Sequence, residues 1–259
     1  MKPVVSLPKA EAHKLRGLLF DLDDTFLDHT QLSAAAYQSL FALKASGLSL
    51  IALTGRPASW AELIVRMWPV DAAIAENGSV AYVLDDRTPV LWDSVSKEQR
   101  TGRQEKLQAL VAEAQHELPL LVPANDVRGR LSDYTFDIGE TRKVDEDVIE
   151  RAMHLARRRG ARTTRSSVHL HFTFDRTDKA SGALGFLSRL GYDSTRSREQ
   201  FAFVGDSDND ASGFAAFATS IGVANLKGLF SITPRYLTQF PKSAGFCQLA
   251  DHLCGQRSS

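Results

Sequence analysis

Short apolar runs that alternate with helical patterns are the feature that most constrains the fold of this chain. Residues 18–22, 48–53 and 72–75 form three such runs, each of strand length. Residues 33–46 and 57–68 lie between them and have the apolar spacing of helices. Because strands joined through a helix pair in parallel with a right-handed crossover, the pattern predicts a doubly wound parallel sheet. Ligands of such sheets bind at the carboxyl ends of the strands, so functional residues are expected directly after each run.

The same alternation of apolar runs and helical patterns is found in the last third of the chain. Its pattern predicts a helix over residues 179–190, a strand over 201–204, a helix after Asp208 and a short strand over 221–223. The first and last parts are therefore expected to share one α/β, Rossmann-like core domain, formed by residues 15–83 and 176–254. The residues before 15 are expected to lie outside this core as a frayed leader.

The middle of the chain has a different pattern, which predicts an inserted α+β cap domain over residues 84–175. Helices are predicted over 97–115 and 144–159. Residues 134–138 and 167–174 alternate between apolar and polar side chains, which predicts two strands with one packed and one open face. The open faces either contact a substrate or are simply solvated, and they carry Thr135, Asp137, His169 and His171.

Composition excludes several classes of protein. With 31 basic and 31 acidic residues in 259, the chain has no excess of positive charge to attract nucleic acid or an anionic membrane. Hydrophobic residues make up 43%, as in soluble globular proteins, and no uncharged run is long enough to cross a bilayer. Cys247 and Cys254 are the two cysteines, which favours a reducing, cytoplasmic location. A small-molecule partner is therefore expected, and the oligomeric state is not indicated.

Three aspartates lie at the end of the first apolar run and directly after it. Asp21, Asp23 and Asp24 stand in the sequence Asp-Leu-Asp-Asp-Thr, which ends at Thr25. Carboxylates held together at a strand end repel one another, and burial opposes their charge, unless a cation compensates. A hard cation such as Mg²⁺ would do so and could bridge to a phosphate oxygen. Taken alone, the same residues could instead form an acidic turn or a helix cap.

Thr54, Gly55 and Arg56 follow the second apolar run, and Pro57 opens the next helix. A hydroxyl group, a glycine that allows close approach and the free amides of a helix start together make an anion cradle that suits phosphate. The alternative interpretation is a common Thr-Gly turn, with Arg56 paired to a surface acid.

Two further signals come late in the chain. Asp206, Asp208 and Asp210 follow the predicted strand at 201–204, which brings more carboxylates to the same edge of the sheet. Lys179 begins a predicted helix. Taken alone, the acids could form a loop that caps a helix, and Lys179 could be a surface lysine.

In this order the four motifs resemble those of the haloacid dehalogenase superfamily of phosphohydrolases. Residues 21–25 match its DxDxT motif, Thr54 the second motif, Lys179 the third, and Gly205 and Asp206 with Asp210 the fourth. The insertion lies between the second and third motifs. This position resembles the subclass with an α+β cap, which includes Cof-type, sucrose-phosphate, trehalose-phosphate and mannosyl-3-phosphoglycerate phosphatases and phosphomannomutase. The sequence departs from that subclass at Ala180, where a glycine is frequent.

The resemblance implies a Mg²⁺-dependent phosphomonoesterase that acts on a small metabolite, a sugar phosphate or a phosphoglycerate derivative. It implies Asp21 as the nucleophile that forms an aspartyl-phosphate and Asp23 as the general acid and base. Mg²⁺ would be held by Asp21, by the backbone carbonyl of Asp23 and by Asp206, with Asp210 supporting them. The phosphoryl oxygens would be bound by Thr54, Gly55, Lys179 and Asn209. Arg56, Asn77, His169 and His171 are candidates for contact with the rest of the substrate, although a hairpin turn explains the Glu-Asn-Gly sequence at 76–78 equally well.

Two other functions stay open from the sequence. A phosphomutase shares the core chemistry but returns the phosphate to another hydroxyl group. A signalling receiver domain also uses aspartates, a threonine and a lysine on a doubly wound sheet, but it is about half this length and has no cap.

Overall fold

The computed structural model describes residues 1–166, 168–226 and 232–257; Ser167, part of a predicted strand, lies outside these ranges. The strands, in chain order, are β1 Lys2–Pro3, β2 Gly17–Phe20, β3 Ser49–Leu53, β4 Ala72–Ala75, β5 Val80–Asp85, β6 Thr88–Asp93, β7 Val122–Pro123, β8 Asp133–Asp137, β9 Arg162–Arg165, β10 His169–Thr173, β11 Phe201–Gly205, β12 Thr219–Gly222 and β13 Tyr236–Leu237. The α-helices are α1 Lys9–Lys14, α2 Ala34–Ala45, α3 Ala58–Met67, α4 Lys97–Glu117, α5 Glu146–Arg158, α6 Lys179–Arg189, α7 Ser194–Gln200, α8 Ala211–Ala216 and α9 Lys242–Arg257.

The core sheet has the strand order β1-β13-β12-β11-β2-β3-β4-β5-β6. All pairs from β1 to β4 in this order are parallel, and β5 and β6 extend the sheet as an antiparallel hairpin. Strands β2, β11 and β12 are buried at every residue, as expected for a parallel sheet that is covered on both faces. The predicted doubly wound α/β core is therefore confirmed.

Alternate residues of the central strands feed two apolar clusters. Leu18 and Phe20 belong to one cluster, together with Leu40 of α2 and Phe246 of α9. Leu19 belongs to the other, which also includes residues of α6 and α8. Because successive side chains of a strand point to opposite faces, these helices cover the two sides of the sheet. In the part of the chain that the structure describes, no helix is both long and apolar enough to cross a membrane.

The cap is a separate antiparallel sheet in the order β7-β8-β10-β9. Phe136, Leu170 and Phe172 form its apolar face and share one cluster with Leu110 of α4 and Leu155 of α5. The other face is polar, as the alternating pattern predicted. The cap therefore has its own core, but its polar face is less open than predicted: Thr135 and Asp137 are buried, whereas His169 and His171 are partly exposed.

The boundaries between core and cap differ from those expected. Residues 84–93 were expected in the cap, but Leu84 pairs with Pro89 within the hairpin that extends the core sheet. The chain crosses to the cap after Asp93 and returns before α6. Arg100 of α4 connects the two segments that link core and cap, because its guanidinium lies 2.7 Å from Asp93 in the first segment and 2.8 Å from Asp175 in the second. A hairpin pattern alone does not show which sheet the hairpin joins, so the sequence located this boundary poorly.

The first residues of the chain also differ from the expected frayed leader. Val4, Leu7 and Ala12 are buried, and β1 pairs with β13 at the edge of the core sheet. Arg257, at the end of α9, donates a hydrogen bond of 2.8 Å to the carbonyl of Ala12. The N-terminal segment is thus part of the core; its apolar residues are too few and too irregularly spaced to show a period in the sequence.

Candidate active site

Two neighbouring strands place three aspartates at one edge of the sheet. Asp21 directly follows β2, and its amide donates a hydrogen bond of 3.0 Å to Val204 of β11. Asp206 directly follows β11, and Asp210 lies one turn further on. One carboxylate oxygen from each of the three aspartates lies within 4.8 Å of the others, and all three residues are buried. The predicted convergence of acids from two distant stretches of sequence is therefore present.

Lys179 lies in the middle of these acids. Its Nζ is 2.8 Å from Oδ1 of Asp21 and 2.7 Å from Oδ1 of Asp210, and its side chain is 1% exposed. Burial alone would lower the pKa of Lys179, but the charges of the two aspartates outweigh it and raise the pKa above its ordinary value. The site therefore contains a permanent positive charge where the resemblance predicts contact with a phosphoryl oxygen.

A single ammonium group does not balance three buried carboxylates. Burial, and then the charge of Asp210, raise the pKa of Asp206 to about 7. Burial also raises the pKa of Asp21 well above its ordinary value, and Asp210 and Asp206 add to this effect. A divalent cation would remove the repulsion, and carboxylate oxygens are the donors that Mg²⁺ prefers. The donor set thus fits Mg²⁺.

Asp210 has less freedom to bind a cation than its two neighbours. Its Oδ2 accepts hydrogen bonds from the amides of Asp206, at 3.0 Å, and Ser207, at 3.1 Å. Its Oδ1 is bonded to Lys179. With both oxygens engaged, Asp210 is arranged to orient the loop that carries Asp206. Its supporting role beside a metal stays a prediction.

Helix α6 reaches the acids through a contact between two glycines. A Cβ atom placed on Gly182 would lie 2.2 Å from the Cα of Gly78, so the helix and the turn after β4 touch through their backbones. This contact brings Lys179, at the start of α6, to the sheet edge. The departure at Ala180 therefore leaves the approach intact, because the glycine on which the approach depends stands three residues after the lysine.

The residues predicted to bind phosphate gather beside the loop after β3. Thr54 is buried, and its hydroxyl oxygen accepts a hydrogen bond of 3.0 Å from the amide of Arg56. A Cβ atom on Gly55 would lie 3.2 Å from Oδ1 of Asn77, which in turn accepts a hydrogen bond of 3.0 Å from Asn209. Asn77 has a φ of 54° in the turn that joins β4 to the antiparallel β5, so the turn and the site use the same residue.

Asp23 and Arg56 form a bidentate ion pair. Nε and Nη2 of Arg56 donate hydrogen bonds of 2.8 Å and 2.7 Å to the two carboxylate oxygens of Asp23. The guanidinium carbon also lies 4.7 Å from the ring centre of Trp60. The bond to Asp23 is the main cause that raises the pKa of Arg56 above its ordinary value. The partner of Arg56 is thus a residue of the site and not an unrelated surface acid.

The candidate residues of the cap form hydrogen bonds within the cap. His171 Nδ1 is 2.8 Å from the Thr135 hydroxyl, and His169 Nε2 is 3.0 Å from Glu140. Asp137 caps the turn after β8 by accepting the amides of residues 139–141, so its carboxylate is not directed at a substrate. Arg130 of the cap donates a hydrogen bond of 3.1 Å to the carbonyl of Gly55, so the cap lies against the core site.

The sequence did not indicate Asn225, which holds two parts of the site together. Its side-chain amide donates hydrogen bonds of 3.0 Å to Oδ2 of Asp206 and 2.8 Å to the carbonyl of Asp24. Its side-chain oxygen accepts a hydrogen bond of 2.7 Å from the amide of Lys242. A polar residue soon after β12, at the same sheet edge as the acids, was the signal that could have identified it.

The fold and the site together define a class: a doubly wound core, with acids at the carboxyl edge of its sheet, under an inserted α+β cap. Residues 18–117 match the model of a family described as haloacid dehalogenase-like hydrolases. Over these residues the chain is similar to that family, and the order of its motifs agrees with the match.

Solved structures share this fold over nearly the whole chain. A Thermoplasma acidophilum protein is 17% identical, with a TM-score of 0.73, and the match covers 92% of this chain and 98% of that one. A haloacid dehalogenase-like hydrolase of Bacteroides thetaiotaomicron is 14% identical, with a TM-score of 0.70 and 92% and 99% coverage. The sucrose-phosphatase of Synechocystis, in complex with sucrose and phosphate, is 16% identical, with a TM-score of 0.67 and 92% and 98% coverage. No curated protein matches the sequence.

Proposed function

We propose that the protein is a magnesium-dependent phosphomonoesterase that removes phosphate from a small phosphorylated metabolite. The observation that carries this proposal is the cluster of Asp21, Asp206 and Asp210, whose oxygens lie within 4.8 Å of one another beside the ammonium group of Lys179. Without a cation the carboxylates of such a cluster repel one another, so the cluster is well suited to hold a divalent cation next to an anion.

The proposed metal ligands are Asp21, Asp206 and the backbone carbonyl of Asp23. When bound there, Mg²⁺ would neutralise the carboxylates and withdraw charge from a phosphoryl oxygen. Thr54, the amide of Gly55, Lys179 and Asn209 would bind the remaining phosphoryl oxygens and stabilise the charge that spreads over them in the transition state.

Two aspartates divide the chemistry between them. In the first step an oxygen of Asp21 attacks phosphorus while the bond to the leaving oxygen breaks, and Asp23 gives that oxygen a proton. In the second step Asp23 takes a proton from water, the water oxygen bonds to phosphorus, and the bond to Asp21 breaks. Arg56 holds both oxygens of Asp23 and so fixes the direction of this carboxylate between the steps.

A sugar phosphate or a phosphoglycerate derivative is the proposed substrate class. The polar face of the cap offers hydrogen-bonding groups, among them His169, His171 and Glu140, to a leaving group rich in hydroxyl or carboxyl groups. The shared fold with a sucrose-phosphatase supports this class. A cytoplasmic location is part of the same proposal, because metabolites of this kind are found there.

Release of orthophosphate from a panel of phosphorylated sugars, glycerates and nucleotides tests the proposal. We expect hydrolysis that requires a divalent cation and that is lost in Asp21→Asn. Conversion of a hexose 1-phosphate to the 6-phosphate without free phosphate would instead indicate a mutase. An acyl-phosphate that persists for minutes after treatment with acetyl phosphate would indicate a signalling function.

A further inference from the structure

One buried carboxylate of the core is bonded mainly to the cap. Glu76 directly follows β4 and is 3% exposed. Its Oε1 accepts hydrogen bonds of 2.9 Å from the amides of Ala58 and Leu131. Its Oε2 accepts hydrogen bonds from the amide and hydroxyl of Ser132, at 2.6 Å each, and from the amide of Asp133, at 3.2 Å. Four of the five donors therefore belong to the cap.

Three consecutive amides that point at one carboxylate form an anion-binding concavity. Here the anion is a side chain of the same protein, and it comes from the other domain. Burial, and then the charge of Asp133, raise the pKa of Glu76. Loss of the cap donors would leave a carboxylate with few partners in a poorly solvated place, so the contact favours the docked position of the cap.

The same glutamate also supports the loop that carries Thr54, Gly55 and Arg56. Its amide donates a hydrogen bond of 3.0 Å to the carbonyl of Arg56, and its carboxylate binds the first amide of α3. The next residue, Asn77, donates a hydrogen bond of 3.0 Å from its amide to the carbonyl of Thr54. Glu76 therefore contacts both the cap and residues 54–56, which we call the phosphate loop.

Arg130 of the cap makes a second contact with this loop. Its Nη1 donates a hydrogen bond of 3.1 Å to the carbonyl of Gly55, and its side chain is 2% exposed. The guanidinium lies 2.9 Å from Asp126 and 3.0 Å from Asp133, so two acids offset its charge. Arg130 is therefore arranged to hold the loop backbone and not to attract a phosphate.

The residue before Arg130 packs directly on the core. A Cβ atom on Gly129 would lie 2.1 Å from the hydroxyl oxygen of Ser59, at the start of α3. Residues 129–133, which we call the docking segment, therefore touch the core through a backbone contact, a guanidinium group and a row of amides.

We propose that the docking segment couples the position of the cap to the shape of the phosphate loop, with Glu76 and Arg130 as positioning residues. The inference rests on the proposed function, in which that loop binds the phosphoryl group. When the cap lifts, Arg130 leaves the carbonyl of Gly55 and Glu76 loses its cap donors. The loop is then less well held, so the lifted state binds phosphate more weakly. By thermodynamic reciprocity, bound phosphate favours the docked cap.

The docking segment also reaches the polar face of the cap sheet. Oδ2 of Asp133 lies 3.2 Å from Nδ1 of His171, and Asp133 pairs with Arg130, which holds Gly55. A leaving group that contacts His171 is thus connected to the phosphate loop through two side chains. We expect substrates that reach the cap to bind more tightly because of this connection, and small substrates to gain less from it.

Glu76→Gln and Arg130→Gln test the coupling in the full-length protein with Mg²⁺. The first variant replaces one carboxylate oxygen by an NH₂ group, which would oppose the cap amides, and the second removes the bond to Gly55. Ser132→Ala is a milder third variant that removes one hydroxyl donor and keeps the amides. Arg159→Gln is the control, because Arg159 also forms a bidentate pair in the cap, with Glu113, but lies outside the docking segment.

Two measurements separate coupling from loss of folded protein. The first is the inhibition constant of orthophosphate, which does not depend on the fraction of active enzyme. The second is hydrogen exchange of the amides in the docking segment, with and without orthophosphate. We expect the inhibition constant to rise about tenfold in Glu76→Gln and Arg130→Gln and about threefold in Ser132→Ala, with no change in the control. Phosphate should slow exchange fully in the wild type and in the control, partly in Ser132→Ala, and not in Glu76→Gln or Arg130→Gln.

The outcomes are distinct. Wild-type phosphate inhibition and wild-type protection by phosphate in the three docking variants would overturn the coupling alone. A lower kcat with an unchanged inhibition constant would also overturn it, since that pattern indicates damage to the fold. A wild-type protein that neither releases nor binds phosphate would overturn the proposed function and the coupling together.

Discussion

Replacement of Asp206 by asparagine is expected to stabilise the metal-free protein at neutral pH while it abolishes turnover. The two side chains have the same shape, so the change removes a charge and keeps the packing. Oδ2 of Asp206 accepts a hydrogen bond of 3.0 Å from Asn225, and Oδ1 lies 3.3 Å from the hydroxyl of Thr25. An asparagine can accept from Asn225 with its oxygen and donate to Thr25 with its amide, because a hydroxyl group also accepts.

The magnitude follows from the raised pKa of the carboxyl group. Burial, and then the charge of Asp210, raise the pKa of Asp206 from 3.8 to about 7. A difference of about 3 pH units corresponds to about 4 kcal/mol, which is the cost of ionising this group in the folded protein without a cation.

The raised pKa of Asp206 also determines how the stability of the metal-free wild type changes with pH. Below about pH 4 the group is protonated in both states and costs nothing. As the pH rises from about 4 to 7 the unfolded chain loses the proton first, so the wild type loses stability; above about pH 7 the loss is complete. The advantage of Asp206→Asn should therefore grow up to neutral pH and then stay constant.

Urea unfolding at pH 5, 7 and 8 measures the effect, with a chelator and again with Mg²⁺. Asp208→Asn is the control, because it removes an exposed carboxylate two residues away. Mg²⁺ at one hundred times its dissociation constant should stabilise the wild type by about 2.7 kcal/mol and the Asp206→Asn variant by much less. An Asp206→Asn protein that is less stable than the wild type at pH 8 with chelator would refute the reasoning.

Three further substitutions test other parts of the site and the fold. Asp21→Asn should reduce phosphate release by at least about a thousandfold, as measured with an aryl phosphate, because no second nucleophile is in place. Gly182→Ala should lower kcat about tenfold or more, since its Cβ would lie 2.2 Å from Gly78 and α6 must shift; Gly185→Ala, with open space around it, is the control that should keep full activity. Arg100→Met should cost about 2–3 kcal/mol in urea unfolding, because Asp93 loses its guanidinium partner and Asp175 keeps only the pair with Arg103; a loss below about 1 kcal/mol would contradict this.

The parts of the fold that were predictable are those with a local signal. The apolar runs that became β2, β3, β4 and β11 each carry a motif directly after them, so the parallel arrangement and the meeting of Asp21 with Asp206 followed from one rule about sheet edges. Helix α6 began at Lys179 as predicted. These features depend on periodicity and on chain order, which a sequence contains.

The parts that were not predictable depend on partners far apart in the chain. In the sequence, Glu76 looks like an ordinary turn residue. Its partners are the backbone amides of residues 131–133, whose side chains share no property that a sequence pattern could show. Backbone donors leave no trace in the amino-acid letters. Distant partners also explain why Asn225 was missed and why residues 84–93, which pair within the core sheet, were assigned to the cap.

The charges of the site explain how a chain with no net charge can bind a strong anion. Asp23 is balanced by Arg56, whereas among the residues that the structure describes Lys179 is the one basic group paired with the cluster of Asp21, Asp206 and Asp210. If all three carboxylates of that cluster are ionised, two negative charges stay unbalanced. The proposed Mg²⁺ would supply the two positive charges that are missing, and the loaded site would then be locally neutral before a substrate arrives. The amides and hydroxyl of the phosphate loop can then bind a phosphoryl dianion through dipoles, without an excess of basic residues elsewhere. Because the cation completes this balance, the metal-free site should repel phosphate, and orthophosphate should protect the docking segment only when Mg²⁺ is present.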